Sequence, residues 1–306
     1  MIKETSLLPC HDGPSKKEGL KRIKRKRKIS SIMTGIFYAG AFGAALLLIV
    51  FVGFVIGQGF LAVSSDILDS LSDIFFNTLY LVVMALFFSA LWGIPAGIFL
   101  AEYAGHGKVT QWVRMAIETL ASLPSIVVGL FGYLVFIVMT GSQWNLMAGA
   151  LSVSIITLPM LASVTEDALE GLPPYYKLGS LGLGASRIQT LVHVQLPACF
   201  PRIMTGLILA AGRGFGEAAA LMFTAGMSTD IDWFNWNLLS RSCPLNPFRP
   251  GETLALHIWA LRTEALDPNA AEIAGVTSAL LMLVVVIFNA AARYISWRME
   301  KKMGGI

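Results

Sequence analysis

The chain has 306 residues, 55% of them hydrophobic and only 14% charged, with a mean hydropathy of +0.67. A water-soluble domain carries about a quarter charged residues, so this composition excludes an ordinary soluble protein and points to an integral membrane protein. Cys10, Cys199 and Cys243 have no metal-ligand or CxxC spacing, which argues against a zinc site or a disulfide framework, and the net charge of +4 is unevenly spread.

The stretch "KKEGLKRIKRKRK", residues 16–28, holds nine of the 23 Lys and Arg. An uncharged run follows at once, so the cluster reads as a topology signal ahead of a span and not as a nucleic-acid contact. The first span is placed over residues 32–57, and its length beside so long a leader marks an uncleaved anchor. Residues 1–31 are then a basic N-terminal segment. Residues 32–74 hold the first span and a polar connector marked by Asp66, Asp69 and Asp73.

A second span is predicted over residues 74–101. No residue from 119 to 165 is charged, which is too long for one helix, and "TGSQWN" at 140–145 divides it into a third and a fourth span. The fifth is placed over 203–225 and the sixth over 273–292. Six helices with both ends in the cytoplasm put 19 of the 23 Lys and Arg on that side, leaving Arg241, Arg249 and Arg262 outside and Arg213 in the membrane. The fold predicted is an all-α integral membrane protein with six transmembrane helices, a core over 75–295 and a cytoplasmic tail over 296–306.

Two connectors are unusually long, residues 165–201 inside and 227–271 outside. In the inner one, Leu178, Leu181, Leu183 and Ile188 have the spacing of a short surface helix, a shape that can insert into a groove on another protein. Pro197 and Pro201 are expected to reset the chain before the fifth span. In the outer one, Trp233, Phe234, Trp236 and Trp259 with Arg241, Arg249 and Arg262 suit either an interfacial belt or a docking face.

The segment "AAGRGFGEAAALMFTAG", residues 210–226, carries Arg213 and Glu217 inside an otherwise apolar span. A mid-membrane Arg costs about 2.5 to 3.5 kcal/mol on insertion scales and cannot deprotonate to escape. Four-residue spacing on a helix would bring the two charges within reach of each other. Two readings stand: a neutral lock between helices, or a guanidinium fork that meets a passing anion. Gly212, Gly214 and Gly216 fit close helix approach or ordinary small-residue packing. No phosphate-cradling loop is present, because "GHGKVTQW" at 105 lacks the first Gly and the Ser or Thr after Lys108. There is no HExxH or GxSxG, and His11, His106, His193 and His257 are too scattered for a ligand set. The chain binds no cofactor of its own in this reading, and it is not an enzyme.

The inner connector resembles the cytoplasmic signature of bacterial ABC importer permeases: Glu-Ala-Ala, three residues, Gly, nine residues, then Ile-x-Leu-Pro. Gly184 matches the glycine, Ala185 follows in "LGASRIQT", and Val194, Leu196 and Pro197 match the end; Leu178, Gly179 and Ser180 stand where Glu-Ala-Ala belongs. "FFNTLYLV" at 75, "SLPSIVVGLFGY" at 122, "ITLPMLASVTEDALEGLP" at 156, "GRGFGEAAALMFTAG" at 212 and "DPNAAEIAGVTSALLML" at 267 are similar to the phosphate-specific branch, in its PstA form more than its PstC form. The resemblance implies a type I ABC importer permease fold with a cytoplasmic coupling helix. It implies Gly179, Ser180, Gly184, Ala185, Leu196 and Pro197 at the ATPase contact, and Arg213 with Glu217 on a phosphate pathway. The partners implied are a second permease of PstC type, an ATPase dimer of PstB type that uses the ATP, and an extracytoplasmic phosphate-binding protein of PstS type, in the bacterial inner membrane and without nucleic acid. The alternatives are a permease for another oxyanion such as sulfate or molybdate, and a stand-alone secondary transporter.

Overall fold

A computed structural model describes residues 16–104, 107–227, 231–238, 240–264 and 268–302. Cys10, His11, His106 and parts of the leader, the outer connector and the tail lie outside them. The chain divides into two compact units, Met1–Phe54 and Val55–Ile306. Most of the first is helix α1, Lys16–Leu61, which carries the basic run into the apolar stretch without a break. Its described residues from 26 onward are almost all exposed.

The second unit is all-helical among its described residues: α2 (Ser65–Ile98), α3 (Lys108–Ser122), α4 (Ser125–Gly132), α5 (Leu146–Glu170), α6 (Pro174–Gly182), α7 (Arg187–Thr190), α8 (Leu196–Phe215), α9 (Leu221–Thr224), α10 (Leu254–Thr263) and α11 (Ala270–Lys302). Five helical runs are long and apolar enough to cross a membrane: Lys26–Leu61, Ile67–Tyr103, Leu146–Glu170, Arg187–Phe215 and Ala270–Met299. The pair Lys108–Ser122 and Ser125–Val138, bent by 103°, makes a sixth if it is taken as one broken span. Pro124 causes that break, because its ring pushes Leu123 out of the helical region to ψ 134°.

The three aspartates do not mark a connector. Asp69 and Asp73 lie inside α2, whose cap is Ser64, accepting from the Ile67 amide at 3.4 Å. The fifth span also differs from expectation. Pro197 does not reset the chain, since a π-helical turn over Leu191–Gln195 joins α7 to α8 in one run. The Leu196 amide reaches back five residues to Leu191 in that wider turn.

α5 is the central helix, capped by Asn145, which accepts from the Ala148 amide at 2.8 Å. It packs closest on α2. A Cβ added at Gly97 would lie 2.4 Å from the Ala162 carbonyl oxygen, and one at Gly93 3.1 Å from that of Leu158. Residues 93 and 97 thus form a small-xxx-small step that lets two backbones approach. Between the helices Ser89 and Thr157, both buried, share a 2.5 Å hydrogen bond.

Polar contacts gather at the two ends of α2. At one end Asn77, Thr78 and Tyr80 bond Arg249, Leu254 and Leu245; at the other, Glu102 bonds Lys177 and Gln195. Asn77 and Glu102 are about 37 Å apart at 1.5 Å per residue, a spacing that fits the bilayer between them. Gly97→Val should overpack the α2–α5 contact by about 1–3 kcal/mol. A lowered melting temperature in detergent checks it, with Gly107→Val, where no atom lies within 4 Å of the added Cβ, as the control.

Candidate functional site

Arg213 and Glu217 do not pair. α8 ends at Phe215, and Gly216 caps it by donating back to the Arg213 and Gly214 carbonyls. The helical spacing that would have brought the charges together therefore stops between them. Glu217 is buried at 9% exposure, and its Oε1 accepts from the Ala220 amide at 3.1 Å, holding the turn that leads into α9. That turn is packed from outside by α4, where a Cβ on Gly129 would lie 2.7 Å from the Ala220 Cα. Arg213 is exposed, with no hydrogen bond or ion pair among the described residues.

Its depth also differs from the mid-span position read in the sequence. A Cβ on Gly214 would touch Val82 at 3.6 Å and Val153 at 3.7 Å. Val82 is five residues, about 7 Å, along α2 from Asn77. Arg213 thus stands near the Arg249 end of the bundle, where a long side chain reaches polar surroundings at lower cost than at the centre. The three glycines form no close approach within the chain: a Cβ at 212 or 216 would find its nearest neighbour at 4.0 or 3.9 Å.

Beyond Pro197 and Phe200, exposed in its first turns, the exposed residues of α8 are Arg202, Thr205, Leu209 and Arg213, followed by Gly216. Steps of three and four put them on one face. Over the same depth α2 exposes Val83, Phe87 and Leu91, whereas α11, placed by Asn289 beside Gly212 and by Ser296 on the Pro201 carbonyl, exposes Arg293, Tyr294 and Ile295. The apolar α2 face suits lipid, and the α8 face, with a cation at each end, does not.

At the other end lies the segment that joins α5 to α7. α6 has no buried residue, and Tyr175, Leu178, Leu183 and Ile188 stand out at 61%, 66%, 91% and 64% exposure. The turn after α6 is closed by the Ala185 amide on the Ser180 carbonyl (3.2 Å) and the Gly184 amide on the Leu181 carbonyl (3.0 Å). This is a Schellman motif with Gly184 at φ +86°, a conformation open to glycine and strained for other residues. Ser186 then opens α7 with a full capping box to Gln189. The Ser180 and Thr190 hydroxyls meet at 2.9 Å and tie the two helices. Of the residues expected here, Gly179 is exposed with open space around it, and Leu196 and Pro197 lie in the helix beyond, not in the loop. The expected 165–201 loop shrinks to about 171–186, because α5 runs on to Glu170 and α7 starts at Arg187.

The connector after α9 is partly interior. Arg249 is 1% exposed and bonds the Asn77 Oδ1 at 2.5 Å and the Pro244 carbonyl at 3.2 Å. Burial draws its pKa below the ordinary guanidinium value, and Tyr80 and Asp73 oppose that. Trp259 packs on the core and Trp233 donates to Asp73 at 2.9 Å, while Phe234, Trp236, Leu238, Leu245 and Phe248 are open apolar surface. Cys243 is a buried free thiol.

Sequence reasoning passed over Glu102 and Gln195, and it placed Arg249 on an outer belt or docking face where the fold instead buries it. An "AEY" after a proline-containing span was the available hint of a polar residue at a helix end.

Gly184→Ala should cost about 1–2 kcal/mol locally through the left-handed backbone. Faster amide exchange confined to residues 179–190, with the melting temperature of the bundle unchanged, is the expected result. Arg249→Met should leave the Asn77 and Pro244 oxygens unpaired at a cost of about 1–3 kcal/mol. Limited proteolysis within 231–253 should accelerate accordingly.

Residues 93–301 match the family described as binding-protein-dependent transport system inner membrane component. The chain is 41% identical over 289 residues to the probable ABC transporter permease protein YqgI of Bacillus subtilis, covering 90% of this chain and 98% of that one. It is 34% identical over 155 residues to the phosphate transport system permease protein PstA of Xylella fastidiosa, covering 51% and 54%. Its fold matches a chain of the MetNI methionine ABC transporter in an inward facing conformation, with a TM-score of 0.60 at 16% identity, over 78% of this chain and 99% of that chain.

Proposed function

The chain belongs to the family of binding-protein-dependent transport system inner membrane components, and from that premise we propose that it is the phosphate-conducting permease subunit of an ATP-driven importer. The observation that carries this reading is the polar face of α8, with an unpaired, exposed Arg213 toward one end. A guanidinium offers a planar set of donors that suits a phosphate oxyanion. Glu217 is turned away into its own turn, so it leaves the cation free while lowering the local positive potential. Similarity to PstA permeases supports phosphate over other oxyanions.

In this reading both termini and α6 face the cytoplasm, and Arg213 stands near the outer mouth of the pathway. An anion released by a PstS-type binding protein meets it early. The α8 face is completed by a second permease of PstC type. Exposed Tyr175, Leu178 and Leu183 on the rigid α6 turn insert into a groove of a PstB-type ATPase, which supplies the ATP chemistry. Because Leu178 replaces the acidic residue usual at that position, the docking is apolar at this end of the loop.

Arg213→Gln in the assembled four-component complex, reconstituted in liposomes, should lower phosphate uptake at least tenfold, and Arg213→Lys should restore part of it because charge remains without the fork. Normal uptake by an assembled Arg213→Gln complex overturns the pathway role. Wild-type uptake that sulfate or molybdate competes for as well as phosphate does overturns the substrate.

A further inference from the structure

Glu102 is a carboxylate divided between two elements. It lies in a π-helical turn, Phe99–Tyr103, that ends α2, and its side chain is 11% exposed. Oε2 accepts from Lys177 Nζ of α6 at 2.5 Å. Oε1 accepts from Gln195 Nε2 at 2.6 Å, and Gln195 is the last residue of the second π turn, Leu191–Gln195. Two π turns therefore face each other across one carboxylate, with α6 held on its other oxygen. Such turns are uncommon, a third lying at Tyr133–Val138, and are frequent at functional sites.

The placement matters because α6 has little else to hold it. No α6 residue is buried, and its other side-chain hydrogen bond, Ser180 to Thr190, stays inside the loop. Beside the clamp is a cleft of about 220 Å³ lined by Glu102, Glu170, Tyr176, Lys177 and Gln195, so these side chains can rearrange without overpacking. Gln195 Oε1 is buried without a partner, which leaves its amide able to reverse and accept instead of donate.

The geometry points to Glu102 as the positioning residue that transmits movement of α6 to α2 and α8. It touches neither substrate nor nucleotide; it fixes the register of the docking helix against α2 and against α8, the helix that bears the proposed pathway face. The inference rests on the docking of an ATPase at α6 proposed above.

The test uses the full complex in proteoliposomes, with phosphate uptake and ATP hydrolysis measured on one sample. Three variants are compared: Glu102→Gln, Lys177→Met, and the exchange of Glu102→Lys with Lys177→Glu. Lys177 stands on an exposed helix, so its loss leaves the bundle folded. Phosphate moved per ATP should fall at least fivefold in Glu102→Gln and Lys177→Met while basal hydrolysis changes less than twofold. The exchange should recover at least half the ratio, because Gln195 can accept from a lysine at 102. An unchanged ratio in Lys177→Met, or an exchange no better than the single variants, overturns the clamp. A wild-type complex that hydrolyses ATP without moving phosphate refutes instead the transport reading.

Discussion

The approach of α2 to α5 sets everything else in the second unit. Gly93 and Gly97 bring the α2 backbone onto α5 so closely that a methyl group at 97 would overlap a carbonyl oxygen. In a bilayer no hydrophobic force draws helices together, so packing and internal hydrogen bonds must do it. The Ser89–Thr157 bond supplies a polar link in the interior of this seam, and the two charged layers close its ends. α2 thereby becomes the rod along which both surfaces of the protein are measured. One end holds the connector through Asn77, and the other holds α6 through Glu102.

Much of the architecture could be read from the chain because hydropathy and charge report the slab of solvent in which each segment sits. The apolar runs around residues 32–57, 74–101 and 273–292 were plain, whereas the single surface helix read through Leu178, Leu181, Leu183 and Ile188 is two, α6 ending at Gly182 and α7 opening at Arg187. Gly184 stood out by its spacing to Leu196 and Pro197, and a left-handed backbone is the physical reason a glycine is needed there. What could not be read were choices between backbone hydrogen-bond patterns. A π turn over 191–195 and an α-helical turn have the same composition, so the continuous run from Arg187 to Phe215 was hidden behind two prolines. The stop at Gly216 was hidden likewise. Glu217 bonds the Ala220 amide and holds the turn beyond the stop, where a helical wheel drawn through residue 213 places it on the Arg213 face. The aspartates after the first span misled in the opposite sense, since charge alone does not distinguish a connector from the first turns of a capped helix.

The unpaired Arg213 acquires its meaning from its neighbours on α8. A single exposed cation near a helix end is unremarkable on a membrane protein, because it can reach the headgroups. Here it continues a face that includes Thr205 and Arg202, while α2 exposes Val83, Phe87 and Leu91 at matching depth. That contrast, and not the charge by itself, is what supports the proposed conduit wall over a lipid-facing surface.

The buried Arg249 has a consequence for the compartment its connector faces. Its positive charge is met by the oxygens of an amide and of backbone carbonyls, none of which gains or loses a proton in water at any biological acidity. A guanidinium held against a carboxylate would slacken as the surroundings turned sour. The hydrogen bonds of this pin are indifferent to such drift.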